Sequence, residues 1–416
     1  MQSSWKKKFM FIWVGQFLSL ITSSAVNFAI IIWLSMHYGS AQVLAYGAIA
    51  GMLPAAIIGP FAGVYIDRWD RKKTMIFSDA FVALCTLAMS ISFYVGFESL
   101  LLIYLMLGLR SVGSAFHMPA MQASIPMIAP QEELLRISGI NQVIQSVSSI
   151  AGPALGALAI TLMPIGHVLL LDIMGAIFGI VSLLLVRIPN PVITDKMKSS
   201  FRQVWIDLGA GFSEIFRTRG LASVFAFSTL VTFFIMPIAV LFPLLTLNHF
   251  GGGKFEISVV EIVWGVGMLI GGSLLGIFKP SMSKVVIMNV MYIILGLSLS
   301  LSGYIPSTTF YFFVILTALG GIAAAVYNAC FMTVIQEQVR PDAMGRVFSM
   351  YFSIVVIPTV VGLLGTGWAA DRFGVGNIFV VLGALIALVG IICFFNAPLM
   401  SLGMSKRSDV TKADEK

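Results

Sequence analysis

The chain has 416 residues, of which 58% are hydrophobic and only 10% are charged, and its formal net charge is +7. A soluble domain has about 25% charged residues, so a water-soluble fold could not cover its surface with so few charges. Apolar stretches of about 20 residues recur along the chain, and this is the length at which a helix crosses a bilayer. The stretches are apolar all round, which excludes the alternating strands of a membrane barrel. The composition therefore predicts an all-α integral membrane protein.

The first span follows a basic N-terminal segment and resembles a secretory signal peptide in this respect. Its apolar run extends to Met36, beyond the length of a signal core, so we expect a retained first helix. Further apolar runs follow at short intervals, and twelve spans are predicted in all. They cover residues 9–36, 42–66, 74–97, 100–126, 138–163, 168–187, 220–247, 257–278, 284–303, 309–335, 344–370 and 377–396.

One long connection, from Arg187 to Arg219, divides the spans into six and six. Apolar residues recur at helical spacing from Phe201 to Phe216, which predicts an amphipathic helix that tethers two halves. The predicted domains are an N-terminal six-helix bundle at 1–187, a cytoplasmic linker at 188–219, a C-terminal six-helix bundle at 220–396 and a cytoplasmic tail at 397–416.

The basic residues predict the orientation of the spans. With the N-terminus on the inner side, 22 of the 25 Lys and Arg residues fall on that side. Only Lys254 and Arg372 fall outside, and Arg110 lies within a span. This asymmetry follows the positive-inside rule. The positive net charge therefore reports topology and implies no nucleic-acid partner.

The segment "GVYIDRWDRKK", between the second and third spans, concentrates charge in an otherwise apolar chain. Topology alone would account for its basic residues. It does not account for Asp67 and Asp70, because acidic residues contribute little to the positive-inside rule. Gly63 lies one helical turn before Asp67, where a glycine would let another helix approach closely.

This loop resembles the signature of the major facilitator superfamily through Gly63, Asp67, Arg68, Asp70, Arg71 and Lys72. Asp70 departs from the signature, since the family usually has glycine there. Two further motifs agree. Arg110 resembles the family's intramembrane arginine, and the glycine–proline motif of its antiporters is matched by Gly152, Pro153 and Gly156. Within the family the chain is most similar to the macrolide-efflux branch, through "WVGQFLSLITSSA", "RSVGSAFHMPA" and "GRVFSMYFSI".

The resemblance implies twelve transmembrane helices in two six-helix bundles, with both termini in the cytoplasm. It also implies a cytoplasmic gate. Asp67 would contact the start of span eleven, where Arg346 lies and where the helix N-terminus carries a partial positive charge. Asp79, near the inner end of span three, is assigned to the same network.

Charged residues inside a membrane cost several kcal/mol each, about 2.5–3.5 on insertion scales, and so mark candidate sites. Arg110 lies near the middle of span four; it either sets the protonation of a nearby acid or pins span four to its neighbours. Asp172 and Glu261 are the candidate proton carriers, and each could equally cap a helix end. The proposed proton-coupling residues are therefore Arg110, Asp172 and Glu261.

Polar and aromatic residues inside the spans are candidates for a substrate cavity, because Met and aromatic side chains adapt to bulky apolar ligands. Helix–helix hydrogen bonding is the alternative role for the polar ones. The candidates are Gln16, Asn27, Gln142, Gln145, Phe233, Phe234, Met236, Tyr327, Asn328 and Tyr351.

The resemblance implies a proton-driven exporter of a bulky apolar drug, most of all a macrolide, in a bacterial-type cytoplasmic membrane. No cofactor is expected, because no nucleotide-binding loop or metal cluster is present in the sequence, and the proton gradient would supply the energy. The expected partners are the drug, protons and the lipid bilayer, with a monomeric protein; a separate ATP-binding partner is left open. The alternatives are a siderophore or lysolipid carrier of the same superfamily and a non-transporting membrane sensor or scaffold. No enzyme is expected.

Overall fold

The structure is a computed structural model, and it describes residues 2–66, 69–128, 130, 134–186, 188, 209, 212–216, 219–277, 282–339 and 344–402. Twelve long helices account for most of these residues. They are α1 (Gln2–Tyr38), α2 (Ala41–Ile66), α3 (Arg71–Tyr94), α4 (Leu100–Ile128), α5 (Leu134–Leu162), α6 (Ile165–Leu185), α7 (Arg219–Asn248), α8 (Lys254–Ile277), α9 (Lys284–Tyr304), α10 (Phe310–Gln338), α11 (Met344–Phe373) and α12 (Val375–Phe395).

The predicted all-helical membrane fold is confirmed. Eleven of the helices in the described part of the chain are long and apolar enough to cross a membrane. The twelfth, α5, is an apolar helix over Val147–Leu162, the part of it whose side chains are described without a gap. The predicted orientation of the helix ends stays a prediction.

The chain forms two compact units. The first comprises Met1–His37 and Tyr46–Val204, and the second comprises Tyr38–Ala45 and Trp205–Lys416. In the first unit α3 packs against α4 and α6. In the second unit α9 packs against α10 and α12, α8 against α10, and α7 against α11 and α12. The predicted cytoplasmic roles of the linker and tail stay predictions, and most of the predicted amphipathic helix lies outside the described residues; residues 212–216 are helical.

Small residues let the helices of the first unit approach closely. Gly156 of α5 lies directly against the backbone of Ala25 in α1, and Gly152 lies against Ser24. A side chain at either glycine would collide with α1, so only glycine permits this spacing. Two members of the predicted glycine–proline motif therefore seat α5 against α1.

Candidate functional site

The interior of the first unit holds a buried ion pair. Arg110 lies ten residues into α4 and Asp172 lies seven residues into α6, and these residues are 3% and 1% exposed. Arg110 Nη1 donates to Asp172 Oδ2. Because a charge deep in such a helix needs a partner, the two side chains neutralise each other. The structure thus brings together two of the three predicted proton-coupling residues.

Three further side chains surround the pair. Thr86 of α3 donates from its hydroxyl to Asp172 Oδ2 at 2.7 Å, and Ser23 of α1 donates to the other carboxylate oxygen. Arg110 Nη1 also donates to the hydroxyl oxygen of Thr86, and its Nη2 donates to Asn27 Oδ1 at 3.0 Å. Asn27 was predicted to line a substrate cavity, and here it binds the guanidinium. We call Ser23, Asn27, Thr86, Arg110 and Asp172 the Arg110 layer.

A second polar layer lies further along the same helices. Asp79 of α3 and His117 of α4 are 7% and 6% exposed, and Asp79 Oδ1 lies 3.3 Å from His117 Nε2. Gln16 of α1 is fully buried and donates from Nε2 to the carbonyl oxygen of Gly179 in α6 at 3.4 Å. A Cβ atom at Gly179 would lie 3.1 Å from Asp79 Oδ2, so the glycine makes room for this carboxylate. We call Gln16, Asp79, His117 and Gly179 the His117 layer.

The two layers are related by one spacing on all four helices. Each helix contributes two residues that are seven positions apart: Gln16 and Ser23, Asp79 and Thr86, Arg110 and His117, and Asp172 and Gly179. Seven residues make about two helical turns and a rise of about 10 Å, so both members of each pair lie on one face of their helix. Each of the four helices therefore presents one polar stripe to the centre of the unit.

Asp79 was predicted to lie near the inner end of span three and to belong to the gate network. It lies eight residues into α3, about 12 Å along the axis from the first residue of that helix, and it contacts His117. Its membership of the gate network stays a prediction. The predicted gate residues Asp67 and Arg68 lie outside the described residues, and only the backbone is described for Gly63 and Arg346.

The described residues of the charged loop stabilise helix ends. Asp70 caps α3, because its Oδ1 accepts a hydrogen bond from the backbone N–H of Lys73 at 3.0 Å. Lys72 Nζ donates to the carbonyl oxygens of Leu184 and Val186, at 3.2 and 2.9 Å. The C-terminal end of a helix carries a partial negative charge, so the Lys72 ammonium stabilises the end of α6. Arg71 is buried.

The second unit contains the predicted aromatic residues. Tyr351 is buried against Phe225 and Phe331, and its hydroxyl lies 3.0 Å from the hydroxyl of Ser228. Tyr327 packs against Tyr292, with ring centroids 5.1 Å apart.

The remaining predicted residues are scattered over both units. Phe233 and Phe234 are in edge contact with centroids 5.2 Å apart, while Met236 and Asn328 are exposed. Glu261 is half-buried on α8, in the second unit. Gln145 is exposed and the side chain of Gln142 is not described.

Sequence reasoning missed Ser23, Thr86 and His117. Single serines and threonines in apolar helices usually bond to their own backbone, and an isolated histidine carries no signal by itself. The seven-residue spacing from Arg110 to His117, matched by the spacing from Asp79 to Thr86, is the signal that could have found them.

The part of the chain that the structure describes has twelve long helices in two units and a buried ion pair in the first unit. These features define a multi-pass membrane protein with an intramembrane charge site. Residues 12–299 and 238–409 match the family model described as Major Facilitator Superfamily. The chain belongs to this family, whose members are transporters rather than enzymes, and it is a bacterial-type membrane protein.

Two relatives are similar over most of the chain. It is 36% identical over 392 residues to Macrolide efflux protein A of Streptococcus pyogenes, which covers 94% of this chain and 96% of that protein. It is 35% identical over 326 residues to Macrolide efflux protein A of Enterococcus faecalis, covering 78% of this chain and 100% of the relative. A POT family transporter structure, 11% identical, superposes with a TM-score of 0.73 over 93% of this chain and 95% of that one, which supports the fold.

Proposed function

We propose that this protein exports a bulky, mostly apolar drug of the macrolide class in exchange for protons. The observation that carries the proposal is the buried pair of Arg110 and Asp172 in the first unit. The names of its relatives at 35–36% identity support the direction of transport and the drug class.

The pair has the properties of a proton switch. While Asp172 is ionised, it balances the charge of Arg110. A proton on Asp172 would leave Arg110 as an uncompensated cation at 3% exposure, which costs several kcal/mol. Protonation must therefore be accompanied by a rearrangement that gives Arg110 water or another partner. Such a change around α4 and α6 is how a proton would drive the transporter between two states.

The Asp172 carboxylate contacts side chains of three other helices, so its protonation would change contacts with all three. Ser23 of α1 and Thr86 of α3 both donate to it, and Arg110 lies on α4. A protonated carboxyl accepts fewer of these hydrogen bonds, because one oxygen becomes a donor. One proton therefore changes contacts with α1, α3 and α4 together, and this supports coupling between the proton and the packing of the unit.

The second unit supplies side chains suited to a large apolar ligand. Phe233, Phe234 and Met236 lie next to Pro237 in α7, and Met236 is 43% exposed. Aromatic and methionine side chains adapt to varied apolar shapes and hold them without fixed polar geometry. Asn328 and the hydroxyl of Tyr327 would add polar contacts. We propose that these residues bind the drug.

The test is the accumulation of labelled erythromycin in cells that express the wild type, Arg110→Ala or Arg372→Ala. Arg372 is the matched control, because it is an exposed arginine that lies over the ring of Trp368. We expect the wild type and Arg372→Ala to lower accumulation several-fold, and we expect Arg110→Ala and a protonophore each to remove the effect.

Two results would contradict this proposal. If well-inserted wild type leaves accumulation unchanged, erythromycin is not a substrate, and a screen that includes siderophores and lysolipids follows. If the protonophore leaves export intact, the energy does not come from the proton gradient.

A further inference from the structure

The His117 layer contains ionisable groups that the proposed export mechanism does not use. Asp79 and His117 face each other at 3.3 Å, and both are more than nine-tenths buried. Asp79 Oδ2, Gln16 Oε1 and His117 Nε2 have no hydrogen-bond partner among the described residues, so the 3.3 Å contact is an ion-pair distance. Buried polar atoms of folded proteins are nearly always paired, so unpaired ones in one cluster need an explanation.

Charge balance shows what the layer requires. The Arg110 layer is neutral, because its two charges cancel. Asp79 and His117 are neutral together only when they share one proton, either as carboxylate and imidazolium or as carboxylic acid and imidazole. Without that proton the pair would place one uncompensated negative charge in the interior, at a cost of several kcal/mol.

In the described parts of α1, α3, α4 and α6, no other charge lies at the level of Asp79. Among the described residues, α1 contributes Gln16 and α6 contributes Gly179 at this level, and neither is charged. The nearest charged groups on these helices are Arg110 and Asp172, about two turns to one side. On the other side the nearest along α3 are Lys73, Lys72 and Arg71, six to eight residues before Asp79, and Lys72 Nζ binds the last carbonyls of α6.

We propose that Asp79 and His117 form a second proton-binding site, which holds one proton while the pair is buried and releases it when the neighbouring ends of α3 and α4 become hydrated. This inference rests on the proposed function for its role in transport. The proton is taken up from water and returned to water, and no covalent bond other than the N–H or O–H bond forms or breaks. With the predicted orientation, the site lies inward of the Arg110 layer and would deliver protons to the cytoplasm.

Gly179 makes the site sensitive to packing. A Cβ at this position would lie 3.1 Å from Asp79 Oδ2 and 3.3 Å from Gln16 Nε2. The substitution Gly179→Ala should therefore displace the carboxylate by a few tenths of an ångström without changing any charge. It perturbs the site by a route that is independent of the ionisable residues themselves.

The first test is an NMR pH titration of purified protein labelled with ¹⁵N at its four histidines. The His117 signal is assigned with His117→Gln or, if that variant does not fold, by replacing His37, His167 and His249 in turn. We expect the His117 titration to shift by at least one pH unit in Asp79→Asn and measurably in Gly179→Ala. An unchanged His117 titration in folded Asp79→Asn would overturn the proposal, whatever the protein transports.

The second test measures drug-driven proton movement in inside-out vesicles with a pH-sensitive dye. The variants are His117→Gln, Asp79→Asn, their combination and His167→Gln, an exposed histidine on α6 as the matched control. We expect each single variant to lose at least fivefold, the double variant to lose no more than either, and the control to stay within twofold of wild type. Drug-driven proton movement at the wild-type rate in folded His117→Gln and Asp79→Asn would overturn the inference. If the wild type itself shows no drug-driven proton movement, the proposed function is overturned instead.

Discussion

The substitution Asp172→Asn removes one charge of the buried pair and keeps the size of the side chain. Asp172 is 1% exposed, so Arg110 would remain in the interior without a counter-charge. Two charges about 4 Å apart attract by about 4 kcal/mol at an effective dielectric constant of about 20. Breaking a buried pair by removing one partner costs about 3–5 kcal/mol. We therefore expect Asp172→Asn to lower the free energy of unfolding by about 4 kcal/mol, which corresponds to a Tm lower by roughly 8 °C.

The assay is thermal unfolding in detergent, followed with a dye that reacts with exposed thiols. Cys85, Cys330 and Cys393 are all free and buried, so they become reactive only when the helices separate. The control is Glu337→Gln, which breaks the exposed ion pair with Lys284. Because exposed pairs contribute about 0.2–1 kcal/mol, this change should lower Tm by roughly 2 °C or less.

A double variant separates charge balance from shape. In Asp172→Asn combined with Arg110→Gln, no charge remains in the Arg110 layer, and we expect at least half of the lost Tm to return. Equal Tm values for Asp172→Asn and Glu337→Gln would refute the argument that the buried pair is energetically coupled.

Two further predictions concern packing and helix ends. Gly156→Val should abolish folded protein, because a side chain there collides with the backbone of Ala25. The control Gly365→Val has open space around it and should elute normally on size-exclusion chromatography. A folded Gly156→Val protein would show that α1 and α5 can separate. Asp371 accepts hydrogen bonds from the backbone N–H groups of Ala41 and Gln42 at 2.6 and 3.1 Å. Such caps contribute about 0.5–2 kcal/mol, so Asp371→Asn should lower Tm by a few degrees in the same thiol assay. An unchanged Tm would show that the cap is dispensable.

Much of the fold could be predicted because apolar length is a direct signal of a membrane span. The predicted and observed bounds of the second helix, 42–66 and Ala41–Ile66, differ by one residue at its start. The predicted fifth span, 138–163, begins four residues after the start of α5 (Leu134–Leu162), because hydropathy marks the apolar part of a helix and not its polar end.

The site was predictable only in part. Arg110 stands out because a charge inside an apolar helix is expensive, and the structure pairs it with Asp172, one of two acids between which the sequence left the choice open. The pairing could not be derived, because helices that are apolar all round do not reveal which face turns inward. His117 was missed for the same reason, and the seven-residue spacing that links it to Arg110 becomes visible only when four helices are compared.

The most direct test of the central claim is transport by purified protein in proteoliposomes under an imposed pH gradient. With an acidic lumen and a neutral outside, protein molecules whose predicted outer side faces the lumen should carry labelled erythromycin inward as protons leave. We predict that wild type accumulates erythromycin in proportion to the pH difference and that folded Asp172→Asn does not. Accumulation without a pH gradient, or equal accumulation by both proteins, would contradict the proposal that Asp172 couples protons to drug export.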